Sequence, residues 1–155
     1  MLSAPPFGLG TGVLAFIFTV YLLGMVTAPL ASGMAVRFGR RAAVAVMLVF
    51  AIAGECATLI PFLPAVIAGL AAAAGGLFVV QTLSLGFIAA TVPHAKSTAV
   101  GLYVTTYYIG GALGGIVPGL LWTRFAWPGV VALLVALGIA MLALTQRFWR
   151  EDAAR

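Results

Sequence analysis

The sequence offers few side chains able to do chemistry. One acid sits inside a long apolar run: Glu55, in Ala53-Gly54-Glu55-Cys56-Ala57. A carboxylate in hydrocarbon is costly unless it faces a cavity, finds a partner or carries a proton. Glu55 therefore reads either as a proton-binding or cation-binding group, or as a structural carboxyl that reaches outward or bonds to a neighbour. Gln81, Thr82 and Ser84 are polar at the depth of another apolar run. Gln81 either lines a substrate cavity or bonds between helices. Tyr103 and Tyr107 are four residues apart and fall on one helical stripe, where two phenols would face a cavity or a neighbouring helix. Enzyme chemistry finds no support. The single histidine, His94, falls in a loop, the only aspartate is Asp152 near the C-terminus, and HExxH is absent. Neither a Ser–His–Asp set nor a cluster of metal ligands can be assembled. The expectation is a non-enzyme with no metal and no cofactor, any coupling chemistry resting on a proton at Glu55. Cys56 stands alone, cannot form an internal disulfide, and reads as a small buried apolar residue.

The elements that must carry these residues follow from composition. Of 155 residues, 64% are hydrophobic and only 7% charged, whereas a soluble domain carries roughly a quarter charged residues. The lipid-facing side of a membrane helix needs no charge, so a bilayer makes this composition stable. The apolar runs are continuous rather than alternating, which excludes a strand barrel. The fold class is all-α, a polytopic membrane bundle in one domain covering residues 1–155. A spanning helix needs about 20 apolar residues. Five such spans are expected, about 9–35, 42–60, 64–90, 98–121 and 129–145. Arg37, Arg40 and Arg41 end the first. Pro61 and Pro64 make the second break, Pro93, His94 and Lys96 the third, and Arg124, Trp127 and Pro128 the fourth.

The net charge of +5 does not point to nucleic acid, because the basic residues sit at the ends of apolar runs. With the first loop inside, the inside holds Arg37, Arg40, Arg41, Lys96, Arg147, Arg150 and Arg155, and the outside only Arg124. That bias orients the chain with Met1 outside and the C-terminus cytoplasmic, as a multi-pass protein of the cell membrane. Trp122, Phe125 and Trp127 are expected as an outer aromatic anchor, and Phe148 and Trp149 as an inner one. Met1 to Gly8 lack the basic residues of a signal peptide. Ala71 to Ala74 with Gly75 and Gly76 would let helix backbones approach closely in lipid.

Two segments carry a family resemblance. Ser32-Gly33-Met34-Ala35-Val36-Arg37-Phe38-Gly39-Arg40-Arg41 resembles the loop motif of the major facilitator superfamily, an acid-Arg-x-Gly-Arg-Arg sequence behind a small residue. Arg37, Gly39, Arg40 and Arg41 match, while Ser32 stands in place of a glycine and Val36 in place of the acid. The resemblance implies a cytoplasmic gate loop. Gly101, Gly110, Gly114, Gly115, Pro118 and Gly119 resemble the antiporter motif of the same family, with proline and glycine exchanged at two places. By residue types alone, Gly110 and Gly114 share one helix face, which reads either as a close helix contact topped by Tyr103 and Tyr107 facing a cavity or as a plain helix-packing groove.

Taken together, the motifs make the five spans similar to helices eight to twelve of a twelve-helix transporter. The resemblance implies the C-terminal portion of a secondary active transporter, exchanging protons for an exported small molecule by alternating access. Its partners would be membrane lipid, a small-molecule substrate when complete, and an N-terminal portion or partner chain that is missing here. Two other readings stand beside it: a truncated or split-gene product inactive alone, and a small homo-oligomeric membrane transporter or channel.

Overall fold

The computed structural model describes residues 2, 3 and 7–149, without the side chains at 14, 16, 18, 20, 21, 23–26, 28–30 and 32. Met1, Pro5, Pro6, Arg150, Asp152 and Arg155 lie outside the described residues, as does the side chain of Ser32. The described chain is helical almost throughout: α1 (Thr11–Phe18), a 3-10 turn (Thr19–Leu22), α2 (Leu23–Phe38), α3 (Arg40–Ala57), α4 (Leu63–Thr91) and α5 (Lys96–Phe148), with no strand among the described residues. α4 and α5 are each long and apolar enough to cross a membrane, with windows of mean hydropathy 2.2 and 2.3. The fold is an all-α membrane helical bundle.

Local sequence explains the corners. α2 continues three residues beyond the expected end at Ala35, so Arg37 is still helical. Gly39 then turns the chain alone. Its φ of 81° and ψ of 150° suit glycine and strain other residues. Its N–H donates to the Ala35 carbonyl at 3.0 Å, and its own carbonyl accepts from the Ala43 N–H at 3.0 Å. One residue thus ends α2 and starts α3. α4 begins with Pro64 in its first turn, where a missing N–H costs no hydrogen bond.

The fourth expected break takes another form. The segment from Arg124 to Pro128 is not a loop, and α5 runs through it with only Ala126 outside helical geometry (φ 51°, ψ −148°). Pro128 lies two residues past Ala126, in the first turn of the resumed helix, so it removes no needed donor. Gly129 leaves room there, since a Cβ on it would collide with the Phe125 side chain. A straight α5 of 53 residues would be about 80 Å long, far beyond a hydrocarbon core of roughly 30 Å. The break at Ala126 divides it into two arms, 96–125 and 127–148, each the length of one crossing.

Packing centres on α3. α4 runs antiparallel to it at a separation only glycine permits. A Cβ on Gly54 would sit 2.6 Å from the Gly69 carbonyl oxygen, and one on Gly76 2.8 Å from the Met47 carbonyl oxygen. In lipid, where neighbouring chains are as apolar as leucine, such close van der Waals contact is what holds helices together. Ala31 of α2, Ala43, Val44 and Leu48 of α3, and Val79, Val80 and Leu83 of α4 form the buried core. The second arm of α5 lies antiparallel along the remaining side of α3. Gly138 there accommodates Ile52, whose Cγ1 would lie 2.8 Å from an added Cβ.

Candidate functional site

Glu55 sits on the buried seam of α3. Val44, Leu48, Ala51, Glu55 and Thr58 follow one another at spacings of four, three, four and three residues, the repeat that keeps side chains on one helix face. The other four are buried and Glu55 is half-buried. Its Oε2 is shielded from solvent and has no hydrogen-bond partner. The backbone around it is fixed. The Thr58 hydroxyl donates to the Glu55 carbonyl at 2.6 Å and accepts from Trp127 Nε1 at 2.9 Å. Trp127 is the first residue beyond the break in α5, so the turn carrying Glu55 is tied to the start of the second arm.

The cavity candidates lie elsewhere. Gly54 meets Gly69, Ala72 and Ala73 of α4, and Gln81 is twelve residues past Gly69, about 18 Å along the helix axis at 1.5 Å per residue. Glu55 is therefore not gathered with Gln81. Gln81 and Ser84 share a face of α4 at three-residue spacing, both half-buried; the Ser84 hydroxyl donates to the Val80 carbonyl at 2.8 Å, and Tyr103 of α5 lies beside Ser84. Tyr107 is half exposed and meets Tyr108 edge-on at 5.7 Å. Thr82 spends its hydroxyl proton on the Phe78 carbonyl at 2.8 Å.

The glycine-rich stripe makes no close helix contact among the described residues. Added Cβ atoms at Gly101, Gly110, Gly114, Gly115 and Gly119 meet nothing within 4 Å, and Pro118 is half-buried within the same arm. The expected packing groove is thus an open face of the first arm of α5 among the described residues.

At the arginine end the three guanidinium groups go to three places. Arg37 is exposed, 5.4 Å from the centre of the Phe38 ring. Arg41 clamps α5: Nε donates to Gln146 Oε1 at 3.1 Å, and Nη2 to the same oxygen at 2.8 Å and to the Gln146 carbonyl at 2.6 Å. Arg40 is half-buried, with Nη1 shielded and without a partner.

Several of these contacts could not be read from residue types. Gln146 and Thr58 each lie at a helix end, but pairing them with Arg41 and Trp127 requires knowing that α3 and the second arm of α5 are neighbours. The seam spacing through Glu55 was readable, and it points to the interior rather than to lipid. Two expectations are corrected. Cys56 is exposed, not buried, because Gly54 and Glu55 hold the packed side of α3. Trp149 is no free anchor: its ring packs on Phe87 of α4 with centroids 4.4 Å apart, and its Nε1 is buried and unpartnered. Phe148 remains exposed. His94 is exposed in the α4–α5 connection, and no group of three metal-ligating residues occurs among the described residues.

Comparison with known proteins adds a family. The model of the Major Facilitator Superfamily matches residues 2–155. The chain is 28% identical over 145 residues to an uncharacterised MFS-type transporter, YybF, of Bacillus subtilis (strain 168), covering 94% of this chain and 36% of that protein. It is 25% identical over 144 residues to an uncharacterised transporter of Buchnera aphidicola subsp. Schizaphis graminum, covering 93% and 35%. It is also 28% identical over 76 residues to the inner membrane transport protein YnfM of Escherichia coli (strain K12), covering 49% and 18%. The chain spans about a third of the length of the first two relatives. No solved structure matches it.

Proposed function

The chain belongs to the major facilitator superfamily, and from that premise we propose that it forms the C-terminal portion of a secondary active transporter that exports a small molecule in exchange for protons. The observation that carries this reading is the family match over residues 2–155 together with a carboxyl group on the buried seam of α3, its Oε2 without a partner. Alternating access works by rocking one helical repeat against another around a midplane site. A bundle of this size supplies at most one side of that pair, in keeping with its third of the relatives' length.

Roles follow from position. Glu55 is the proton-coupling group, since its Oε2 is shielded between packed helices and would gain water when those helices part. Gln81 and Tyr103, with Tyr107 one turn further along, line the substrate path at the α4–α5 face. Arg37, Gly39, Arg40 and Arg41 form the gate at the cytoplasmic end. The charge bias of the loops supports that orientation. The Arg41–Gln146 clamp makes the gate a bonded contact between α3 and α5 although Val36 supplies no acid. Nothing in this scheme requires an enzyme's catalytic set or a bound metal.

A second reading, a homo-oligomeric transporter, draws on the open glycine face of α5, which a second copy would cover as well as the remainder of a longer transporter would. The test of the leading reading is Glu55→Gln in the complete transporter. Flux driven by a pH gradient should fall at least tenfold while protein in the membrane stays constant. Unchanged pH-driven flux would remove Glu55 from the mechanism.

A further inference from the structure

Beside the arginine corner lies a cavity of about 310 Å³, lined by Ala35 and Val36 of α2, Arg40 of α3, and Thr82, Leu83 and Gly86 of α4. Arg40 is its only charged wall. Guanidinium groups that are partly buried normally find an anion or a set of acceptors, because an unpaired buried donor forfeits its hydration without return. Arg40 Nη1 has no such partner. Among the described residues no acid is at hand: Glu55 is at the far end of α3. The other charges near this end among the described residues are Arg37, Arg41, Lys96 and Arg147, all positive.

The backbone adds to the field. Arg40 is the first residue of α3, and Gly39 before it provides no side-chain cap. The amide end of an 18-residue helix therefore opens where the guanidinium sits, with its partial positive charge uncompensated. The remaining walls are apolar. Leu83 is buried, whereas Val36 and Gly86 are exposed at the rim. Thr82 gives its proton to the Phe78 carbonyl and offers no donor to an anion, so recognition rests on Arg40.

From the cavity and the unpaired guanidinium together we propose that this pocket binds a phosphate group, held by Arg40 at the arginine end of the α2–α3–α4 bundle. The planar guanidinium suits two phosphate oxygens at once. The apolar rim suits the glycerol and first methylenes of a phospholipid, and a free phosphate would use the guanidinium alone. The site is independent of Glu55 and of the direction of transport.

The experiment is native mass spectrometry of the full 155-residue chain in neutral detergent, titrated separately with phosphatidylglycerol, phosphatidylcholine and inorganic phosphate. Arg40→Gln is compared with Arg37→Gln, which removes the same charge from an exposed position outside the cavity. A saturable phosphatidylglycerol adduct weakened at least tenfold by Arg40→Gln, and less than twofold by Arg37→Gln, is the expected result. Competition of that adduct by millimolar inorganic phosphate would show that the phosphate itself is read. Retention against inorganic phosphate would assign the site to lipid. Thermal unfolding of each variant separates loss of binding from loss of fold, and Arg40→Lys gives a second variant that keeps the charge but not the fork. Equal weakening by both glutamine variants, or no saturable adduct with any of the three probes, would overturn the proposal.

Discussion

At the scale of single residues, three adjacent or nearly adjacent arginines show how position, not type, decides a role. Arg37 ends a helix and stays outside the bundle. Arg40 turns inward and has no partner for one nitrogen. Arg41 makes three hydrogen bonds to Gln146 across 105 residues of sequence. A charged donor held by two acceptors contributes more than a neutral pair, but solvent reaches this clamp, so a net value of about 1 kcal/mol is expected. Gln146→Ala should lower the unfolding free energy of the detergent-solubilised chain by that amount, and Gln146→Glu should restore or exceed the wild-type value by adding charge. Thermal or denaturant unfolding checks both; a neutral Gln146→Ala would mean the clamp forms without holding the helices. The sequence showed that this corner was rich in arginine and turned on glycine. It did not show the division of labour, because each guanidinium's destination depends on which helix stands opposite.

At the scale of elements, the contact between α3 and α4 is set by what glycine leaves out. Gly54 and Gly69 face each other so closely that either Cβ would lie about as near the other's carbonyl as a strong hydrogen bond, 2.6 and 2.5 Å. Gly54→Ala must push the helices apart, and overpacking of this kind costs about 1–3 kcal/mol, sometimes more. Gly33→Ala in α2 meets nothing within 4 Å and should be neutral or stabilising by up to about 1 kcal/mol through helix propensity. Equal effects of the two substitutions would show that the α3–α4 approach is not glycine-limited. The long apolar helices α4 and α5 were legible because runs of membrane length stand out by composition. The continuous alanine and glycine segment at 71–76 signalled close packing, and Gly75 and Gly76 are buried. What could not be read was the form of the break in α5. Arg124, Trp127 and Pro128 marked its place, yet proline in a first turn is compatible with helix, and one residue outside helical geometry, Ala126, suffices to bend the chain.

At the scale of the whole molecule, the described bundle has a packed side and an open one. α2, α3, α4 and the second arm of α5 enclose one another, while the first arm of α5 carries an open row of glycines. Such a face, in a chain spanning about a third of its relatives, is where the account places the rest of a transporter. Orientation belongs to this scale too. Cys56 is the single cysteine and is exposed near the end opposite the arginines. If that end faces outward, a membrane-impermeant maleimide should label Cys56 in intact cells. A Cys56→Ala, His94→Cys variant should label only after the membrane is permeabilised. Reversed labelling would invert the topology and with it the assignment of the gate. The family and the bundle were legible from sequence because both rest on local patterns. The assembly of Gln81, Ser84 and Tyr103, and the separation of Glu55 from them, depend on helix register and emerge only in three dimensions.

The central claim is that this bundle contributes one side of an alternating-access machine and the proton-coupling carboxyl, but not transport by itself. The most direct measurement is proton flux into sealed vesicles carrying only the purified 155-residue chain, under an imposed pH gradient with a lumenal pH dye. Helical content is verified in the same vesicles. The account predicts that the gradient decays no faster than in empty vesicles, although the chain is folded. Faster decay that Glu55→Gln abolishes would contradict it and would make this chain a transporter in its own right.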